Sequence, residues 1–480
     1  MAQCMDMDDL RAKLHSVGQQ HVLRFAGELD PTSLQKLQEQ ISSLDWDLIA
    51  QLADEYVRQK PKLALPSKID PIEALPRVPT DKYRKLYDDA AARGRQLLRQ
   101  GKIGAFLVAG GQGTRLGYDG PKGEYPVTPV KNKPLFQVFA ETLRAWGRDS
   151  GRPVPWYIMT SDANDAATRD FFRAHHHFAL DQRDVIFFQQ GMMPAFSSDG
   201  KVLLADKGSL ALSPDGHGGS LRALWRSGAL ADMKKRGVEH LSYFQVDNPL
   251  VHCIDPLFLG LHDLLGSEMS SKTIPKSGPL EKVGNFCLAD GKLTVIEYSD
   301  LPGELAHQRN PDGSLRFNAG SIAIHALRAS FVERLNAGGR LSLPWHRADK
   351  KVACIDENGS PIKPDEPNAV KLEQFVFDAI PLARNPIVYE TDRAEEFSPV
   401  KNAQGADSPG TSRRDQVRRA AHWLASVGVR VPTRDGEPDA TIEISPLLAT
   451  SAGQLRDRRP AMGELVRGAR VYLGEKGVES

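Results

Sequence analysis

A short apolar run that breaks into glycines and charges constrains this chain more than any other feature. Ile103–Ala109 leads into Gly110-Gly-Gln-Gly-Thr-Arg-Leu-Gly117 and then Pro121-Lys-Gly123. A run this short and apolar, bounded by glycine, suits a parallel strand buried on both faces. Glycines let main-chain N–H groups close on phosphate oxygens that a Cβ would obstruct. Arg115 can fork onto two such oxygens, and Lys122 adds a compact charge. Strand–loop anion sites of this kind lie at the carboxyl end of a sheet. Two familiar phosphate signatures do not fit. No Gly-Lys-Ser/Thr closes the loop, as a P-loop requires. Gly111, Gly113 and Gly117 read G-x-G-x-x-x-G, which is longer than the dinucleotide fingerprint. That spacing, with Arg115 and Lys122 in the loop, argues against a nicotinamide dehydrogenase.

The strand–loop unit recurs. Helical periodicity over Leu135–Trp146, Ala163–His175, Ser220–Arg236 and Pro256–Leu265 alternates with strand-like runs at Trp156–Thr160, Val185–Gln189 and His240–Val246. Such alternation predicts right-handed β-α-β units around a mostly parallel sheet. Lys272–Pro275, Gly284–Leu288, Leu293–Tyr298 and Phe317–Ile324 read as further strands, with a hairpin at Asp290-Gly291, so the sheet should continue as a mixed one. Residues 7–59 read as helices, one of them opening at Pro31-Thr-Ser. Pro61, Pro66, Pro71, Pro76 and Pro79 make the next stretch an extended connector. A helix then runs from Thr80-Asp81 to near Gly101. The fold class expected is α/β, a Rossmann-like doubly wound mixed sheet. Its expected division is a helical region and connector over 1–100, a catalytic domain over 101–405 and a small C-terminal domain over 406–480.

Composition excludes several function classes. Lys+Arg number 62 and Asp+Glu 61, for a net charge of +1. That balance argues against a general nucleic-acid or membrane-surface binder, while leaving room for a local basic pocket. The cysteines, Cys4, Cys253, Cys287 and Cys354, are scattered without a C-x-x-C pair, which predicts neither a disulfide scaffold nor a cysteine zinc site. With an acidic N-terminus and no long apolar run, a cytoplasmic protein is expected. His175-His-His177 are adjacent on a helix and so point in different directions, which favours a surface helix end over a metal site. Arg413-Arg414 and Arg418-Arg419 share one amphipathic helix and read as a solvated face. Ser213 and Ser398 lack a nucleophile motif.

The stretch Leu107–Gly123 resembles the signature of the UDP-sugar pyrophosphorylases, nearest the eukaryotic-type UDP-N-acetylhexosamine pyrophosphorylases. The resemblance continues in order through Phe187-Phe-Gln-Gln-Gly-Met-Met-Pro194, Pro214-Asp-Gly-His-Gly-Gly219, Val246-Asp-Asn248, Glu297-Tyr-Ser299 and Phe317-Asn-Ala-Gly320. It goes on through Phe375-Val-Phe-Asp378, Glu396-Phe-Ser-Pro-Val-Lys-Asn402 and Ile442-Glu-Ile-Ser-Pro-Leu447. It implies a nucleotidyltransferase fold of GT-A type and a uridylyltransferase that joins UTP to a sugar-1-phosphate, releasing pyrophosphate. N-acetylglucosamine-1-phosphate is the first expectation for the sugar. Glucose-1-phosphate, a broad sugar range, or a catalytically inactive nucleotide-sugar sensor are the alternatives.

The same resemblance distributes roles. Val108, Ala109, Gly110 and Gly111 cradle the nucleotide, with Arg115 and Lys122 on its phosphates. Lys401 reaches the reacting phosphates; on composition alone it would read as a solvated surface lysine. Lys371 matches a phosphate-side lysine. Asp247 holds Mg²⁺, the expected cofactor; read locally, it could equally cap the next helix. Gln190 faces the uracil edge, its amide able to donate and accept. Gly216, His217 and Gly218 approach the nucleoside. Gly284, Glu297, Tyr298 and Asn318 line the sugar. His217 departs from the pattern, because the acetylhexosamine enzymes typically carry Asn there whereas UDP-glucose and broad-range enzymes often carry His.

Overall fold

A computed structural model describes residues 6–60, 66–458 and 462–479. Cys4 and Pro61 fall outside them. Packing divides the chain differently from the three consecutive segments expected. The larger unit comprises Ser67–Gln189, Arg222–Arg340 and Ala379–Ser480, and the smaller one Met1–Pro66, Gln190–Leu221 and Leu341–Asp378. The physical reason is a shared core. Leu14, Leu37, Ile41 and Trp46 of the N-terminal helices pack in one apolar cluster with Met193, Phe196, Leu204 and Leu372. The 406–480 segment belongs to the larger unit yet carries its own cluster around Trp423, Leu424, Ile442 and Leu473.

The larger unit is built on one mixed sheet. Its strands are β1 (Ile69–Pro71), β2 (Ile103–Val108), β3 (Trp156–Thr160), β4 (Val185–Gln189), β5 (His240–Gln245), β6 (Met269–Pro275), β7 (Asn285–Ala289), β8 (Lys292–Ile296), β9 (Ala319–Arg328) and β10 (Ile387–Glu390). The main path runs β1-β7-β9-β5-β2-β3-β4, with β6 against β9 and β10, and β8 against β7. β5, β2, β3 and β4 are parallel, and β9 joins β5 antiparallel. Trp156, Phe139, Phe172 and Phe244 fill the core against β2, whose residues from Ile103 to Leu107 are buried. Chain order matters here. From β2 the chain builds outward through β3 and β4, then returns to place β5 on the other side of β2. The carboxyl ends of β2 and β5 therefore flank a topological switch point, where open α/β sheets bind ligands.

Local chemistry explains most boundaries. The Asp30 carboxylate accepts from the N–H groups of Thr32 and Ser33, so Pro31 opens the helix Pro31–Ser43. Asp290 and Gly291 both take positive φ, as a tight hairpin between β7 and β8 requires. The helix expected over Ser220–Arg236 is two, Gly219–Arg226 and Ala229–Arg236, because Gly228 is left-handed at φ 83°. The helices Asp81–Arg99 and Pro256–Leu264 touch backbone to backbone: a Cβ on Gly94 would lie 1.8 Å from the Pro256 carbonyl oxygen.

The C-terminal segment also grips a turn in the long loop that follows β2. Glu443 accepts from the N–H groups of Val130 and Lys131 at 2.8 and 2.7 Å. Arg413 donates to the Pro126 carbonyl, Gln416 to Val127, and Arg470 to Pro129 and Val130. Arg419 donates to the carbonyls of Leu250 and Glu395. The solvated face expected for this arginine helix is thus corrected: Arg418 pairs with Glu437 at the surface, while Arg413 and Arg419 turn inward onto carbonyls. Among the described residues, no helix is long and apolar enough to cross a membrane.

Candidate active site

The glycine loop leaves β2 with its carbonyls already engaged. Ser161 Oγ donates to the Gly110 carbonyl at 2.8 Å, and Asn164 Nδ2 to those of Ala109 and Gly111 at 2.9 and 3.3 Å. The Lys122 N–H donates to Gly111 O, and Gly113 N–H to Gly120 O, folding the loop into a closed turn. Its glycines serve different ends. A Cβ on Gly123 would meet the Phe136 ring at 2.1 Å, and one on Gly113 would meet Tyr118. Gly117 is left-handed at φ 71°. Gly111 is exposed, and nothing lies within 4 Å of the place its Cβ would take. The protein itself sets no steric demand there, so the bare backbone is available to a ligand. Arg115 stands exposed on the one-turn helix Thr114–Leu116, and Lys122 is half-buried at the next.

Beside this loop, β5 ends in Asp247. Register pairs Val108 with Gln245, and Val246 N–H donates to Val108 O. Asp247 thus stands at the switch point next to the glycine loop. It lines a small cavity together with Gln245, Asn248, Ser321 and Lys401. Lys401 is delivered from more than a hundred residues downstream. The Val400 N–H donates to the Asp247 main-chain oxygen at 2.7 Å, and the Lys401 N–H to Asp407 O. Lys401 Nζ lies 4.0 Å from Asp407 and over the Phe397 ring. One half-buried carboxylate facing a cavity that also holds an ammonium fits magnesium, which takes few protein ligands and fills its shell with phosphate oxygens and water.

Residues matched to the sugar gather at the β7–β8–β9 end. A Cβ on Gly284 would lie 3.6 Å from Glu297 Oε1 and 3.7 Å from Ser321 Cβ. Tyr298 is exposed at 46%. The Asn318 side-chain oxygen accepts from the Lys276 N–H at 2.9 Å, so the amide's nitrogen end is the part left for a ligand. Lys276 was not singled out from sequence. It is buried, donates from Nζ to Asn285 Oδ1 at 2.6 Å, and burial holds its pKa below the usual range. A lysine inside a strand-rich stretch carries no signal of this, and only its position after β6 reveals it.

The smaller unit holds the remaining matched residues. Gln190 Nε2 donates to the Gly216 carbonyl at 2.7 Å, which fixes the amide's direction and presents Oε1 as the acceptor. The loop 215–218 is packed on the strand Ala369–Glu373, which carries Lys371, and on its continuation: Gln374 N–H donates to Asp215 O, and Gly218 N–H to Gln374 O. Gly216 and Gly218 are small for that reason. A Cβ on Gly216 would meet Gln374 O at 2.3 Å, and one on Gly218 would meet the Phe375 nitrogen at 2.7 Å. The chain's own backbone thus already demands glycine at both places. His217 Nδ1 accepts from the Val376 N–H at 3.1 Å, and its ring stacks on Phe375, which also stacks on His346 at 4.4 Å and packs against Phe377. Burial, with His346 beside it, pushes the His217 pKa down to about 4. The neutral ring therefore carries its proton on Nε2 and offers a single donor.

Two other clusters are structural. His175 ends a helix, and His176–Ala179 form a left-handed turn that buries Phe178 against Phe171 and Phe172. His252, Asp255 and Glu396 have metal-like spacing, but the buried Lys272 ammonium sits on both carboxylates at 2.6 Å and already supplies the cation.

The family model for UTP--glucose-1-phosphate uridylyltransferase matches residues 47–406. The chain belongs to that family. It is a nucleotidyltransferase of the UDP-sugar pyrophosphorylase class, and a protein named UDP-N-acetylhexosamine pyrophosphorylase-like protein 1 from Homo sapiens is 37% identical to it over 473 residues, covering 92% of this chain and 93% of that one. The UDP-N-acetylglucosamine pyrophosphorylase of Saccharomyces cerevisiae is 37% identical over 409 residues, covering 82% and 84%. Among solved structures, the uridine diphosphate N-acetylglucosamine pyrophosphorylase of Trypanosoma brucei, in complex with an inhibitor, aligns with a TM-score of 0.80 at 27% identity over 95% of both chains. The expected α/β fold and family are thereby established.

Proposed function

We propose that this uridylyltransferase forms UDP-N-acetylglucosamine and pyrophosphate from UTP and N-acetylglucosamine-1-phosphate, with Mg²⁺, in the cytoplasm. The observation that carries the reading is the cavity at the switch point, where Asp247 and Lys401 meet beside a glycine loop with its carbonyls turned away. In the reaction a sugar-phosphate oxygen attacks the α-phosphorus of UTP, the bond to the β-phosphate oxygen breaks, and pyrophosphate leaves with the electron pair. No covalent enzyme intermediate is needed, so the work is positioning and charge neutralisation. The Gly110-Gly111 backbone, Arg115 and Lys122 hold the triphosphate, and Lys401 steadies the oxygens that gain charge. Lys371 serves as a further phosphate-side lysine. Mg²⁺ held by Asp247 supplies Lewis-acid neutralisation of phosphate charge. Glu297, Tyr298, Gly284 and Asn318 hold the sugar.

The names of relatives support the acetylated sugar, since the match runs over nearly all of both chains. His217 is the specific feature on the side of glucose-1-phosphate. The retained Arg115, Lys122, Asp247 and Lys401 weigh against an inactive sensor. A panel of sugar-1-phosphates with UTP, following pyrophosphate release, decides. N-acetylglucosamine-1-phosphate is expected to give the highest kcat/KM, and a glucose-1-phosphate optimum would overturn the sugar assignment.

Base selection follows from Gln190. With its nitrogen committed to Gly216 O, the side chain offers Oε1 to a donor, matching uracil N3–H; cytosine has an acceptor at that atom. Gln190→Glu sets a carboxylate oxygen against the Gly216 carbonyl, and kcat/KM for UTP should fall about 10- to 100-fold. Unchanged UTP-over-CTP preference in that variant would show that other groups read the base.

A further inference from the structure

The turn that carries Asp247 and the segment that carries Lys401 are joined by one side chain. Asn248 is buried, and its amide bridges three backbone groups: Nδ2 donates to the Glu396 carbonyl at 2.6 Å, while Oδ1 accepts from the N–H groups of Ser398 at 3.1 Å and Leu250 at 3.3 Å. Two residues further on, Val400 N–H closes the contact on Asp247 O. Glu396 is itself immobilised, since its carboxylate accepts from Lys272 Nζ and from Thr391 Oγ1 at 2.6 Å. The far side of the segment is held as well: Ser412 Oγ donates to Ser398 O, and Ser398 Oγ donates to Asp415. A short segment held this many times, with no regular secondary structure of its own, has its position set by those bonds.

We propose that Asn248 is a positioning residue that sets the separation between the Asp247 carboxylate and the Lys401 ammonium. The inference rests on the roles proposed above for those two residues. An amide is needed because the bridge must donate to one backbone carbonyl and accept from a backbone N–H two residues later. Aspartate keeps the acceptor but turns a second oxygen onto the Glu396 carbonyl; alanine removes the bridge. Either change weakens the tie on the Asp247 side, and with alanine the Val400 N–H bond to Asp247 O is what remains of it there. A shift of about 1 Å between groups acting on one phosphate costs on the order of 10²-fold in rate with little effect on binding.

The test is a double-mutant cycle on the full-length enzyme with UTP, Mg²⁺ and N-acetylglucosamine-1-phosphate. Asn248→Ala should lower kcat about 10- to 100-fold and leave KM for UTP within about threefold. In the Lys401→Ala background the same substitution should cost less than about threefold, because the ammonium it positions is gone. If Asn248→Ala fails to fold, Asn248→Asp is carried through the same cycle. Losses that multiply in full would show a role separate from Lys401, and unchanged kcat would remove Asn248; either result overturns the proposal. Near-normal kinetics for Lys401→Ala alone would overturn it by a different route, showing that the site assignment had failed.

Discussion

Asp247→Asn enzyme should turn over about 10²- to 10³-fold more slowly than the native protein at saturating UTP, with its Mg²⁺ activation curve moved to higher concentration. The substitution keeps shape and removes the charge that offsets the cation. The bond that Asp247 makes to Val400 uses its main-chain oxygen and survives the change, so the fold should too. A thermal unfolding midpoint near that of the native protein, measured with the kinetics, separates lost chemistry from lost structure. EDTA should abolish turnover of the native enzyme, and Mg²⁺ should restore it. An Asn variant with an unchanged Mg²⁺ requirement would take Asp247 out of the metal site.

Replacing Lys272 should instead destabilise the protein. Its ammonium is 1% exposed and binds Asp255 and both oxygens of Glu396 at 2.6–2.7 Å. Coulomb attraction to these carboxylates outweighs burial and raises the Lys272 pKa, while Lys272 and His252 together hold the Asp255 pKa down. Lys272→Met leaves two buried carboxylates crowded without the ammonium that offsets them, which costs about 3–5 kcal/mol. The sign with pH follows. A raised lysine pKa gives stability that is present below its unfolded value and lost as pH rises through the folded one. A lowered aspartate pKa gives stability that is present above its unfolded value and lost as pH falls through the folded one. The buried histidines His217 and His262, held neutral by burial, add a loss of stability that begins as pH falls below about 6.5, so the native protein should be most stable from about pH 7 to 9 and weaken on both sides. Urea unfolding of native and Lys272→Met protein at pH 7 gives the comparison. A midpoint unmoved by the substitution would mean the trio contributes nothing to folding.

Much of the larger unit was legible because its strands are buried on both faces. Trp156–Thr160 is buried throughout and stands where its apolar run lies, while the edge strand Val185–Gln189, only partly buried, still follows its run of Val, Ile and Phe. The break at Gly228 was not legible, because helix formers continue on either side of it. The left-handed turn His176–Ala179 contains no glycine and so carries no local mark. The smaller unit was missed as a unit, because its core is assembled from three stretches whose apolar residues do not announce each other. For the site, the glycine loop spoke for itself through spacing and charge. Asp247 and Lys401 did not. Alone, Asp247 reads equally as a helix cap and Lys401 as a surface lysine, and their shared cavity exists only after β5 and the 396–401 segment are brought together. Lys272 and Glu396 are separated by 124 residues, so no local pattern could have paired them.

The grip of the C-terminal segment on the turn after Lys122 bears on how the enzyme comes into being. Glu443 and Val130 are 313 residues apart, and four side chains from the late segment hold the 126–131 backbone. As the polypeptide emerges from the ribosome, the sheet strands can pair while this turn still waits for the residues that seat it. The turn that follows the phosphate loop is thus seated only after residues 413–470 have been made, long after its own strand has paired.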